Sequence, residues 1–169
     1  MAKAIDKLLN ENDGLIIGIC NGFQALVKSG LLPNGQIGKI KENSPTLILN
    51  SAKRHIARFV DTRVLTTNSP WLSELEENKI YRMPISHGEG RFVIDKEGLD
   101  ELLENEQVVA VYTDAPNGSN YNIEAIMSKD GKILGKMGHS ERYQKDLYKN
   151  IYDMELQNLF KGAVNYFKK

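Results

Sequence analysis

Cys20 is the only cysteine of the chain and sits in Gly18-Ile19-Cys20-Asn21-Gly22, with a glycine two residues before it and two after. That pattern suits a nucleophile at the tip of a tight strand-to-helix turn. Such a turn strains the backbone and pushes the side chain out of the sheet, and small flanking residues keep Cβ atoms from clashing. The N–H groups that open the following helix would face the sulfur and favour thiolate. The Asn21 N–H would face an oxyanion forming on a substrate. A small buried hydrophobe fits the same five residues equally well. His55, His87 and His139 are the candidate bases. Glu141 stands two residues beyond His139, so it can reach ring Nδ1 across a turn and fix the tautomer. Cys20, His139 and Glu141 thus follow a triad order, although His139 taken alone reads more readily as a solvated loop histidine beside a surface glutamate. His55, flanked by Lys53, Arg54 and Arg58, reads as exposed. His87, in Ser86-His87-Gly88-Glu89-Gly90, reads as a loop residue or a ligand contact.

These residues need a scaffold that brings distant segments together. Ala2, Ile5, Leu8 and Leu9 recur at helical spacing, and Asn12-Asp13-Gly14 ends that helix. Leu15 to Ile19 is apolar on both faces, as a buried parallel strand would be. Phe23, Leu26 and Val27 restart a helical period, which Gly30 can cap. Strands are expected at Thr46–Leu49, Arg58–Val60, Arg63–Thr66, Lys79–Ile85 and Val108–Tyr112. Ser69-Pro70 is a helix start, and further helices are expected at Lys96–Asn105 and Glu155–Phe167. Asn122–Met127 and Lys132–Met137, joined by Asp130-Gly131, form a hairpin pattern. The expected class is α/β.

Composition narrows the options. A length of 169 residues suits one domain, and 41% hydrophobic residues suit a packed core. The 22 basic and 22 acidic residues cancel, so no basic excess favours nucleic acid. The apolar runs are far shorter than the ~18 residues that span a bilayer, and Lys3, Asp6 and Lys7 do not suit a signal peptide. A single thiol forms no internal disulfide and excludes a four-cysteine zinc cage. A cytoplasmic protein is expected, with no membrane or nucleic-acid partner.

Gly18-Ile19-Cys20-Asn21-Gly22-Phe23-Gln24 resembles the nucleophile motif of class I, triad glutamine amidotransferases. Ala57-Arg58-Phe59-Val60, Ser86-His87-Gly88-Glu89-Gly90-Arg91-Phe92, Pro116-Asn117-Gly118-Ser119 and Gly138-His139-Ser140-Glu141-Arg142 follow in order. Together they resemble the glutaminase domain of phosphoribosylformylglycinamidine synthases, in the large fused bacterial form that carries it C-terminally. The likeness covers residues 12–143. It implies a flavodoxin-like fold, a mostly parallel sheet flanked by helices with extra antiparallel strands. It also implies roles. Cys20 would attack the glutamine side-chain amide, His139 would serve as base and then acid, and Glu141 would orient it. Asn21 would donate its backbone N–H to the oxyanion, while Gln24, Ser86 and His87 would hold the substrate. No cofactor is implied in this chain. ATP and magnesium are expected only in a synthetase domain, which would consume the ammonia.

Two departures carry expectations of their own. Many members of the family have proline on both sides of the histidine, where Gly138 and Ser140 stand here, and a looser backbone is expected. Family domains also carry several elements ahead of the nucleophile strand, including a loop that supplies a second oxyanion donor. The resemblance therefore implies a single domain over 1–169 that is truncated at its N-terminus, lacks N-terminal strands, and is weakly active or purely structural alone. An exposed sheet edge would then be open to self-association.

Overall fold

The computed structural model describes residues 2–144, 146–152 and 154–168. Met1, Lys145, Asp153 and Lys169, all inside the expected domain span, lie outside the described residues. The chain opens with α1 (Ala2–Asp6), which widens into a π-helical turn over Lys7–Glu11. Strand β1 (Ile16–Ile19) follows, then α2 (Asn21–Lys28) and the short α3 (Leu31–Asn34). Next come β2 (Thr46–Leu49), β3 (Ile56–Val64), β4 (Ile80–His87) and β5 (Glu89–Val93). Helix α4 (Lys96–Glu104), β6 (Val108–Tyr112), β7 (Ile123–Met127), β8 (Ile133–Lys136) and α5 (Leu159–Tyr166) complete the order.

Six strands form one sheet in the order β1-β8-β7-β6-β3-β4, and β2 pairs with β5 in a separate ribbon. The α/β class is as expected. The sheet is mixed: β1 and β8 run parallel, whereas β8-β7, β7-β6, β6-β3 and β3-β4 are antiparallel. Among the described residues, β1-β8 alone of the five strand pairs in this sheet is parallel, and the antiparallel pairs include the expected hairpin over residues 123–136. Both faces of the sheet are covered. Phe23, Leu26 and Val27 of α2 pack on one face with Ile123, Ile126 and Ile133. Leu159 and Ala163 of α5 cover the other face with Trp71, Leu134 and Met127.

Three of the elements that differ from the sequence pattern have a visible local cause or cap. β3 is one continuous strand, because its polar Asp61 is paired across the sheet with Arg82, at 2.7 and 2.8 Å. The Ser69-Pro70 start yields only a 3-10 turn, although Ser69 Oγ does accept the Trp71 N–H. The last helix begins at Leu159, not Glu155, and Gln157 is instead drawn inward by Ser140.

Candidate active site

The elbow forms where β1 meets α2. Cys20 has φ 54° and ψ −108°, a conformation that L-residues avoid and that costs about 1–3 kcal/mol. Its N–H donates to the Lys136 carbonyl at 2.8 Å, which extends the parallel β1-β8 ladder by one residue. The two flanking glycines are not equivalent. A Cβ on Gly18 would lie 2.6 Å from the Gly22 backbone, whereas a Cβ on Gly22 meets nothing within 4 Å. Gly18→Ala should therefore destabilise the fold by about 1–3 kcal/mol through overpacking. Gly22→Ala should be neutral or stabilising by up to about 1 kcal/mol, because alanine is the better helix residue. Urea unfolding of the two variants checks this asymmetry.

The Cys20 thiol donates to the Ser86 carbonyl at 3.7 Å. Burial pushes this thiol above its usual range, while the Asn21 backbone N–H and the Arg142 charge pull it back. The expected thiolate bias is thus corrected: the helix opening acts in the expected direction, but desolvation is larger. His139 contributes none of the lowering. A protonated resting thiol needs a base.

His139 sits three residues beyond β8, at the same end of the sheet as Cys20, which lies one residue beyond β1. Glu141 Oε1 is 2.6 Å from His139 Nδ1. A carboxylate only accepts, so the imidazole carries its proton on Nδ1 and leaves Nε2 as the basic lone pair. That Nε2 is buried and has no hydrogen-bond partner among the described residues. No hydrogen bond joins it to the Cys20 sulfur.

The remaining expected residues cluster on β4 and β5. Gln24, one turn into α2, donates its side-chain amide to the Glu89 carbonyl. Phe23 stacks on Phe92 at 6.2 Å, tying the same two elements. Ser86 places its carbonyl on Cys20 and its hydroxyl 3.1 Å from His55 Nε2. His87 is buried, not presented to solvent, with Nδ1 3.2 Å from Asn50 Oδ1. Asn50 Nδ2 also donates to the His87 carbonyl at 2.8 Å. Burial, helped by the charges of His55 and His139, lowers the His87 pKa to about 4.

Neutral His87 makes a pH prediction. Its folded pKa lies below the ordinary 6.5, so the unfolded chain binds the extra proton first. Its contribution is fully present above pH 6.5 and is lost as pH falls from 6.5 towards 4, up to about 3 kcal/mol in all. His87→Gln should flatten that part of the urea-midpoint profile between pH 7 and pH 4.

The Asn-Gly-Ser motif is a latch for this wall. Asn117 Nδ2 donates to the Gly90 carbonyl at 2.8 Å, and the Phe92 N–H donates to Ser119 Oγ at 3.1 Å. Arg91 Nε donates to the Gly118 carbonyl at 3.0 Å. Sequence reasoning missed Asn50, Gln157 and a buried ion pair, Lys136 with Glu124, whose charged atoms are 3.3 Å apart. The signal was available: β7 and β8 are apolar on both faces apart from these two residues. A lone acid and a lone base in such strands have to be buried, and buried charges pair.

Comparison with known proteins shows the family. The family model for the CobB/CobQ-like glutamine amidotransferase domain matches residues 1–167. The solved structure described as PurLQS from Thermotoga maritima is 30% identical, with a TM-score of 0.76 over 98% of this chain and 68% of that one. A glutamine amidotransferase from Thermotoga maritima is 16% identical, with a TM-score of 0.47 over 98% of this chain and 61% of that one.

Proposed function

Because the chain belongs to the CobB/CobQ-like glutamine amidotransferase family, we propose that it is the glutaminase part of a phosphoribosylformylglycinamidine synthase. The observation that supports this best is the parallel β1-β8 pair, which ends in an elbow cysteine on one strand and a Glu141-bound histidine beyond the other. His139 Nε2 takes the Cys20 proton as the sulfur attacks the side-chain carbonyl carbon of glutamine. The Asn21 N–H meets the oxyanion, and the proton passes to the leaving nitrogen, so ammonia departs and a γ-glutamyl thioester remains. Water, deprotonated by the same nitrogen, releases glutamate. Gln24, Ser86 and His87 form the wall that holds glutamine.

The ammonia is used by a synthetase component, which would hold ATP and magnesium, to convert formylglycinamide ribonucleotide to the amidine. That the related solved structure is described as PurLQS supports this assignment. The expected setting is the cytoplasm. Among the described residues no helix is long and apolar enough to cross a membrane. β1 stands at the edge of the sheet, so the chain by itself should self-associate at tens of micromolar, read as a concentration-dependent mass in light scattering. The test of the main reading is direct. Glutamine should yield glutamate and ammonia, and acid quenching should trap a γ-glutamyl adduct on the peptide that carries Cys20. Alone the chain is expected to be weakly active, so a folded chain that forms neither even with its synthetase component present would exclude it.

A further inference from the structure

Lys136 and Glu124 are 3% and 0% exposed, at the end of two strands that are otherwise apolar. Burying two charges is expensive, and a methionine and a glutamine of similar volume would fill the same space without that cost. Apart from a contact of Lys136 Nζ with Met83 Sδ at 3.2 Å, the hydrogen bonds of the pair go to one place. Glu124 Oε1 accepts the Gly138 N–H at 2.6 Å. Lys136 Nζ donates to the Gly138 carbonyl at 2.8 Å and to Ser140 Oγ at 3.0 Å. Ser140 Oγ in turn donates to Gln157 Oε1 at 2.5 Å. The residue between Gly138 and Ser140 is His139.

The pair thus grips the backbone on both sides of the base. Gly138 leaves no room for a side chain, because a Cβ there would lie 2.2 Å from Met83 Sδ and 3.0 Å from Glu124 Oε1. Where a looser backbone is expected, at Gly138 and Ser140, the chain carries these hydrogen bonds. The His139 N–H is held as well, on the Pro84 carbonyl at 3.0 Å. Lys136 also reaches the other half of the site, since its own carbonyl accepts the Cys20 N–H at 2.8 Å. One residue therefore fixes the nucleophile through its backbone and the base through its side chain.

We propose that Lys136 and Glu124 are positioning residues for the glutaminase reaction, a buried clamp that sets the place and ring orientation of His139. This rests on the glutaminase reading above. The clamp holds the ring where its Nδ1 meets Glu141, so losing the clamp loosens both the Glu141-set tautomer and the aim of Nε2. A shift of about 1 Å in a reacting group can cost about 10²-fold in rate without weakening substrate binding.

The experiment compares the chain with Lys136→Met/Glu124→Gln, which leaves no buried charge unpaired, and with Ser140→Ala, which removes one contact of the clamp. Nitrogen-15 spectra of histidine-labelled protein read the His139 tautomer and the protection of its Nδ1–H. Circular dichroism and Trp71 fluorescence verify folding. In the parent chain the Nδ1–H form should be the only one and its proton should exchange slowly. In the folded double variant the tautomers should mix and the proton exchange rapidly. Glutamine turnover should fall about 10²-fold in kcat with KM changed less than about 3-fold. Ser140→Ala should shift both readouts the same way by a smaller amount, and it decides the matter if the double variant does not fold. Unchanged His139 spectra in a folded variant overturn the clamp. A parent chain that shows the expected spectra but no glutamine turnover overturns the glutaminase reading and leaves the spectroscopic comparison to judge the clamp.

Discussion

His139→Ala, in the chain working with its synthetase component, should lower glutamine-dependent amidation by about 10³- to 10⁴-fold, as expected for loss of a general base that also serves as acid. Amidation supplied with free ammonium should survive, because the ammonia-consuming chemistry lies outside this site. Glu141→Ala should be milder. It removes the partner 2.6 Å from Nδ1, but water can take over part of that hydrogen bond. The two assays, glutamine against ammonium, are run on the same preparation. Loss of both activities in His139→Ala would assign the residue a folding role and remove it from the triad.

The second large effect concerns the thiol. Cys20 is the sole cysteine, so every alkylation reports on it. Burial raises its pKa, and thiolate is the reactive form, so neutral iodoacetamide at about pH 8 should label the folded chain more slowly than the unfolded one. A glutamine-like diazoketone should show the reverse order, because binding places its electrophile at the sulfur beside the His139 base. Rates come from the mass shift of the intact protein. Equal rates for the diazoketone in folded and unfolded chain would mean ordinary thiol reactivity, and the nucleophile assignment would fall.

The strained elbow at Cys20 and the His139–Glu141 hydrogen bond were legible because each is a local pattern. Gly18-Ile19-Cys20-Asn21-Gly22 carries its turn signal in five adjacent residues, and the two-residue step from His139 to Glu141 needs only one turn to close. What was illegible depends on distant partners. Asp61 breaks the apolar pattern of β3, yet the strand continues, because Arg82 stands opposite it in the β3-β4 register. Glu89 to Val93 reads as part of a glycine-rich loop, yet it is β5, made a strand by pairing with β2. Lys136 and Glu124 are the lone charges of two apolar strands, so their burial was legible, but only the third dimension brings Gly138 to them. Residues 155–158 carry apolar spacing suited to a helix, but Gln157 is held by Ser140. His87 was left open between loop and ligand contact, and its burial follows from Asn50, a residue no motif contains.

The parallel pairing of β1 with β8 also bears on how this chain acquires its site in time. Ile16 lies opposite Ile133 and Ile19 opposite Lys136, so the pair that carries Cys20 and His139 joins the two ends of the sheet's sequence. The antiparallel pairs β3-β4 and β7-β8 close over far shorter loops and can form early. Pairing of such high sequence separation is entropically costly and slow. Nucleophile and base should therefore meet late in folding, after the rest of the sheet is in place. During that interval the thiol is an ordinary exposed cysteine without its base. Diazoketone labelling in a refolding time course should rise with the slowest phase, later than the far-ultraviolet signal, which makes reactivity towards a glutamine analogue a clock for the final step of folding.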